Sequence, residues 1–258
     1  MKILFLGDVV AKSGRQAVSH RLKALQQSCG ADFTIVNGEN AAHGKGITTR
    51  IYRAFKDDGV DVITLGNHAF SKHEILDHLD ECSDMVRPVN LEPVSGGQGW
   101  LVRNVKGIRI AVVNLLGQVF METATEDPVV TMHRLLPELQ RCADVIIVDL
   151  HAEATGEKEM FCHMFADQVT AVIGTHTHVQ TADEQVYRGC AYLTDAGMCG
   201  PFDSILGRDT QELIRRRQGE AVKFTPSEMP AMICGALIEI DDVTHRAVNI
   251  TRIQERPA

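Results

Sequence analysis

Through roughly the first third of the chain, short apolar runs of strand length alternate with stretches whose apolar positions recur every three or four residues. Ile3 to Leu6, Phe33 to Val36 and Val60 to Leu65 are the apolar runs, and little in them alternates with polar residues. Between them Val18, Leu22 and Leu25 mark one face of a helix, with Ser13 as its N-cap and Gly30 as its stop. Thr48 or Thr49 caps a second helix running through Ile51 and Phe55 to Gly59, and a third is expected from about Lys72 to Glu81. Strand and helix in alternation predict βαβ units and a parallel sheet.

The rhythm changes after Gly96. Trp100 to Val105 and Ile108 to Leu115 read as strands joined by the tight turn Lys106-Gly107, so the sheet becomes mixed. Helices are then expected near Thr131 to Arg141 and Lys158 to Ala166, each beside a strand: Val145 to Leu150 and Val169 to Ile173. A second hairpin spans Asp183 to Leu193 around Arg188-Gly189, and two further strands, Met232 to Ile240 and Ala247 to Ile253, meet near Asp241-Asp242. No repeat or linker interrupts the chain. The reading is one α/β domain over residues 1–258, with two layers of mixed sheet flanked by helices.

Chemistry collects where these strands end. Asp8, the Gly38-Glu39-Asn40 tripeptide, Gly66-Asn67-His68, His151 and Gly174-Thr175-His176-Thr177-His178 each follow an apolar run, which predicts that all lie at the carboxyl edge of one sheet. Asp8, Glu39, Asn40, Asn67, His151, His176 and His178 combine carboxylate, amide and imidazole donors, a mixture that suits manganese, iron or zinc better than magnesium or calcium. Seven candidates exceed the coordination of a single ion. Two ions then need a bridging carboxylate, for which Glu39 is the natural choice. Such a pair polarises a phosphoryl group and brings a bridging water toward neutrality in pKa, making hydroxide the nucleophile. His68 stands apart because its neighbour Asn67 would be the ligand, which leaves its imidazole, with an ordinary pKa near about 6.5, as the general acid for a leaving alcohol.

Composition narrows the partners. A net charge of -8 argues against a broad contact with long nucleic acid, while a small phosphorylated substrate remains compatible. The first residues hold too short an apolar run for an export signal, and no stretch approaches the roughly 20 apolar residues of a membrane span. Seven cysteines without a Cys-x-x-Cys pair suggest reduced, mostly buried thiols and a cytoplasmic protein.

The order of these motifs resembles the calcineurin-like metallophosphoesterase superfamily. Within it the chain is similar to the bacterial YmdB family of cyclic-nucleotide phosphodiesterases, in the blocks Phe5 to Val10, Asn37 to Ala42, Gly66 to His68, Asp149 to Thr155, Gly174 to Thr181 and Thr194 to Pro201. The resemblance implies a sandwich of two mixed sheets and a ligand division. Asp8, Asn40 and His178 would hold one metal and Asn67, His151 and His176 the other, with Glu39 bridging and His68 as acid. The cofactor is then a pair of divalent or mixed-valence transition metal ions, iron or manganese, with zinc acceptable. Family members tend to self-associate, so a homo-oligomer is implied.

Three departures qualify the likeness. The superfamily's Asp-x-His opening is Asp8-Val9-Val10 here, and Asn40 replaces the missing imidazole; Glu39 stands where the broader superfamily has Asp. Both changes resemble the narrower family's own pattern. After His68, however, Ala69-Phe70-Ser71 keeps an aromatic but lacks the acid that family places there. Met198 to Pro201 reads as a rigid turn near the site, and Arg215-Arg216-Arg217 as a solvated helical face. His43, three residues after Asn40, is the one other histidine close to the motifs.

The leading expectation is a dimetal phosphodiesterase acting on small phosphodiesters, with the resemblance pointing to 2′,3′-cyclic nucleotides. A nucleotide- or metal-sensing module with incidental turnover, a phosphomonoesterase and a nuclease are the alternatives.

Overall fold

Residues on opposite sides of the first strand meet different layers of the molecule. In a computed structural model that describes residues 1–91, 96–121 and 126–257, Lys2–Leu6 forms β1. Its Ile3 and Phe5 pack toward a second sheet, whereas Leu4 and Leu6 pack on helices. This double burial is why the segment reads as an unbroken apolar run.

The chain continues with β2 (Asp8–Val9), α1 (Ala11–Cys29), β3 (Phe33–Asn37), α2 (Thr49–Asp58), β4 (Val62–Thr64), a 3₁₀ helix (His73–Glu81) and β5 (Met85–Val86). Next come β6 (Trp100–Val105), β7 (Ile108–Leu116), α3 (Pro128–Cys142), β8 (Val145–His151), α4 (Thr155–Phe165), β9 (Ala171–Thr175), β10 (Gln185–Tyr187) and β11 (Cys190–Leu193). The order closes with β12 (Met198–Pro201), α5 (Thr210–Arg217), β13 (Ala231–Ile240) and β14 (Ala247–Glu255).

Among the described residues the strands form two mixed sheets. One has the order β2-β12-β13-β1-β3-β4-β5, with β14 paired to β13; the other runs β10-β11-β9-β8-β7-β6. In the smaller sheet the parallel strands β11-β9-β8-β7 occupy the middle and an antiparallel strand extends each end. In the larger sheet the parallel run β1-β3-β4-β5 reaches one edge, and antiparallel β13 joins it to the parallel pair β12-β2 at the other. Both expected hairpin turns are present. Lys106 and Gly107 have φ of 54° and 89°, and Arg188 and Gly189 have 50° and 74°, the left-handed pair that a two-residue hairpin requires.

Between the sheets lies a core in which Phe5, Ile35 and Val62 meet Ile110, Ile147 and Ile173. Val18, Leu22 and Phe55 bring α1 and α2 onto the outside of the larger sheet, and Met132, Leu136 and Phe161 bring α3 and α4 onto the smaller. The layers are therefore helix, sheet, sheet, helix, as expected.

Several local expectations need correction. α1 begins at Ala11 rather than after Ser13; the apolar side chain of Val10 cannot cap it, and the Ala11 N–H is met instead by the Asn40 carbonyl at 3.0 Å. Gly30 does stop the helix, with φ 68°. Thr48 caps α2 by accepting from the Ile51 N–H, and Gly59 ends it. The segment from Lys72 is a 3₁₀ helix, not an α-helix. α3 starts earlier than expected, since Asp127 caps it and Pro128 begins it, and α4 likewise starts at Thr155. Met198–Pro201 is a strand rather than a turn: it pairs in parallel with β2 and antiparallel with β13.

Candidate metal centre

Each chemical side chain sits at the carboxyl end of a strand, but the strands belong to both sheets. Asp8 follows β1, Glu39 and Asn40 follow β3, and Asn67 and His68 follow β4, all in the larger sheet. His151 ends β8, and His176 and His178 follow β9, both in the smaller sheet. The expectation of one sheet edge is thus corrected. Two stacked sheets aim their edges at a common cleft, and each supplies its own kind of donor.

The structure gathers the seven expected ligands into two adjoining groups. In the first, His151 Nε2 lies 3.1 Å from Glu39 Oε1, 3.0 Å from Asn67 Oδ1 and 3.0 Å from His176 Nδ1. In the second, the Asn40 amide lies 3.1 Å from His178 Nε2 and 3.5 Å from Asp8 Oδ1, and His178 Nε2 is 3.8 Å from Asp8 Oδ1. Rotating that amide by half a turn presents its oxygen to the same space. Glu39 touches both groups, since its Oε1 also accepts from Asn40 Nδ2 at 2.9 Å. Donors about 2.0–2.3 Å from one ion sit roughly 3 Å from each other, so the spacing suits metal. Gly66 makes the crowding possible, because a Cβ there would collide with Glu39 Oε2 and the His151 ring.

The imidazoles show the same fit from behind. His151 Nδ1 lies 2.8 Å from Thr175 Oγ1, which donates to Asp149 Oδ1 at 2.6 Å, and Asp149 Oδ2 accepts from Asn37 Nδ2 at 3.0 Å. Because the threonine proton is committed to Asp149, its oxygen accepts from His151 Nδ1–H. His176 Nε2 meets Glu153 at 3.2 Å, and His178 Nδ1 donates to the Leu206 carbonyl at 3.1 Å. Each ring thus places its N–H on an outer acceptor and turns the other nitrogen to the shared space, the arrangement that orients metal-ligating histidines.

His176 and His178 have φ of 102° and 65°, backbone that side chains disfavour. The buried Asp195 holds this loop, accepting from the Thr177 N–H at 3.1 Å and the Gly197 N–H at 2.8 Å. Behind it the fully buried Lys158 donates to Asp195 Oδ2 and to the Thr175 carbonyl, each at 2.9 Å.

Electrostatics follow from packing so many donors together. Burial opposes charge on His151, yet Glu39 beside it, with Asp8 and Asp149, outweighs burial and raises its pKa to about 9. Burial would raise Glu39, but His151 and His68 bring it down to about 2. Burial, reinforced by the charge of His151, lowers His176 to about 3. Without a cation, then, the carboxylates draw a proton onto His151, which a metal would displace. Burial also lowers His68; Glu39 opposes that, while Lys45, His151 and Arg208 add to it.

His68 does not join either donor group through its ring; its backbone N–H donates to Glu39 Oε2 at 3.0 Å. Its side chain lines a cavity of about 760 Å³ shared with Lys45, His43, Arg208 and Phe224. The Arg208 guanidinium lies 4.6 Å from the centre of the Phe224 ring, and that of Arg216 lies 4.0 Å from it. Arg215, Arg216 and Arg217 all stay exposed, as expected, although Arg216 also stacks on that ring.

Two facing sheets with this donor set between their edges define the metallophosphoesterase class of fold. The chain belongs to the YmdB-like protein family, whose model matches residues 4–253. A Bacillus subtilis 2′,3′-cyclic-nucleotide 2′-phosphodiesterase is 43% identical over 98% of this chain and 96% of its own length. Among solved structures, a phosphatase from Mycoplasma pneumoniae superposes with a TM-score of 0.92 at 38% identity, covering 98% of this chain and 92% of that one. A protein from Thermus thermophilus superposes with a TM-score of 0.91 at 36% identity, each chain fully covered.

Sequence reasoning missed the residues behind the ligands: Thr175, Asp149, Glu153, Lys158 and Asp195. A signal existed for Asp149, a carboxylate inside a strand that is otherwise Val145-Ile146-Ile147-Val148 and Leu150. A charge within a doubly buried run needs a partner.

Proposed function

We propose that the protein is a dimetal phosphodiesterase that opens 2′,3′-cyclic nucleotides, the reading supported by the Bacillus subtilis relative and by the site. One observation carries it: all three imidazoles are pinned by their outer N–H with the inner nitrogen turned to a space that Glu39 borders on both sides. Asp8, Asn40 and His178 would hold one ion and Asn67, His151 and His176 the other, with Glu39 shared. When bound, such ions polarise the phosphoryl group and activate water.

The remaining chemistry belongs to the chain. Lys45 and Arg208 present positive charge to a phosphoanion in the cavity. His68 protonates the departing ribose oxygen; its lowered pKa makes the charged ring a stronger donor, and an incoming phosphate anion favours that charged form. Five buried and two half-buried free cysteines fit a reducing compartment, so we place the protein in the cytoplasm. Among the described residues no helix is long and apolar enough to cross a membrane.

The test joins elemental analysis to hydrolysis of 2′,3′-cyclic AMP by wild type and His68→Ala. Two metals per chain are expected, retained in the variant, whose rate falls by about 10²- to 10⁴-fold. A single metal or none, or a variant as fast as wild type, would overturn these roles.

A further inference from the structure

Beside the catalytic cavity, with His43 as the wall common to both, lies a second cleft of about 480 Å³. Its charged lining is Arg15, Arg50 and Lys72, and among the described residues no carboxylate lines it. Such a concentration of cations stands out in a chain of net charge -8. Arg15 donates to the Ala41 carbonyl, one residue after Asn40, so the cleft is tied to the loop that carries two of the candidate metal ligands. The Lys72 stem lies over Gly46, next to the His68 carbonyl.

The cations are poorly neutralised by the protein itself. Burial lowers the Arg15 pKa and the charge of Arg50 lowers it further, so the two guanidiniums oppose one another. Arg50 also borders a groove containing Asp57 and Glu74, which offset part of its charge from outside the cleft. A group with several acceptor oxygens and negative charge would relieve this repulsion, and guanidinium forks match phosphate geometry.

We infer that the cleft is a second phosphate subsite, which takes a phosphate group carried by the substrate in addition to the diester that is cut. The inference rests on the phosphodiesterase reading above. A substrate ending in a 2′,3′-cyclic diester can carry such a group in either of two forms, a 5′-phosphate or the internucleotide phosphate of a short oligonucleotide. His43 then faces the ribose between the two phosphates.

The experiment compares kcat/KM for 2′,3′-cyclic AMP, its 5′-phosphorylated form and the dinucleotide ApA bearing a terminal 2′,3′-cyclic phosphate. Wild type is expected to prefer at least one of the two larger substrates by about tenfold or more, as one charge-assisted contact allows. Which one is preferred identifies the source of the phosphate. In Arg50→Gln/Lys72→Gln the ratio falls to near unity, and Arg50→Lys keeps part of it. Equal use of all three by wild type, or a preference that survives the double substitution, overturns the subsite. Should no cyclic nucleotide be cut, the phosphodiesterase reading fails by itself, and calorimetry with inorganic pyrophosphate still judges the cleft. Tighter binding by wild type than by the double variant upholds it; equal binding, or none, sinks it.

Discussion

The larger sheet contributes oxygen and amide donors to the site, and the smaller sheet contributes imidazoles. Asp8 and Glu39 need little support beyond the His176 and His68 N–H groups they accept from. Either oxygen of a carboxylate can serve. An imidazole has two distinct nitrogens, and only an outer partner decides which one faces inward. The nitrogen half therefore rests on a buried scaffold, Thr175-Asp149 and Lys158-Asp195. Asn37 ties that scaffold to the oxygen half, donating to Asp149 Oδ2 and accepting from the Glu39 N–H.

The harshest way to break the comparison is at the residue common to both halves. Glu39→Gln is expected to lower metal content in both groups and cut hydrolysis of 2′,3′-cyclic AMP by about 10³-fold or more, read by elemental analysis and initial rates. If one ion is retained at full occupancy, Glu39 is not shared.

The scaffold of the nitrogen half comes next. Lys158→Met leaves Asp195 as an unpaired buried charge, and denaturant unfolding should show a loss of roughly 3–5 kcal/mol. A double change, Lys158→Met/Asp195→Asn, should recover part of that stability while the His176 to His178 loop loses its brace and metal affinity stays low.

Thr175→Val is milder. It keeps the shape but removes the acceptor for His151 Nδ1–H, so metal affinity should weaken about 10- to 100-fold in chelator competition. Unchanged affinity would mean that ring packing alone sets the tautomer.

An ion pair remote from both halves supplies the control. The Asp144 carboxylate, in a double contact with Arg109 at 2.7 and 3.0 Å, is held down to about 2 by that hydrogen bonding. Because this folded-state value lies below the ordinary 3.8, the pair's contribution is present above that range and disappears as pH falls through about 2. Asp144→Asn should lower Tm by no more than about 2 °C at neutral pH and leave metal content alone, since exposed pairs contribute little.

How far all this was legible follows from the same contrast. The candidate ligands stand out because Asp8, Glu39 and His151 follow apolar runs at strand ends, and the proposed division between two ions comes from resemblance. The layers were visible too, in strand-length runs such as Val145 to Leu150 alternating with amphipathic helices and in the hairpins that make the sheets mixed. What stayed hidden depends on three-dimensional neighbours. Thr175 reads as an ordinary strand residue, and nothing local shows that its hydroxyl lies between His151 and Asp149. Lys158 looks like a solvent-facing helix residue. Met198 to Pro201 has the glycine and proline of a turn, yet pairing with both β2 and β13 makes it a strand. The assignment of ligands to one sheet failed for the same reason, since consecutive strands do not say which sheet they join.

The way β1 is flanked also has a consequence for biogenesis. Its neighbour on one side, β13, begins at Ala231, and Asp8 pairs in register with Met198 in β12. A chain emerging from the ribosome thus carries most of the candidate donors well before the strands that seat the first of them exist. Assembly at the cleft must wait until β12 and β13 have been made, so the site closes through contacts of large sequence separation.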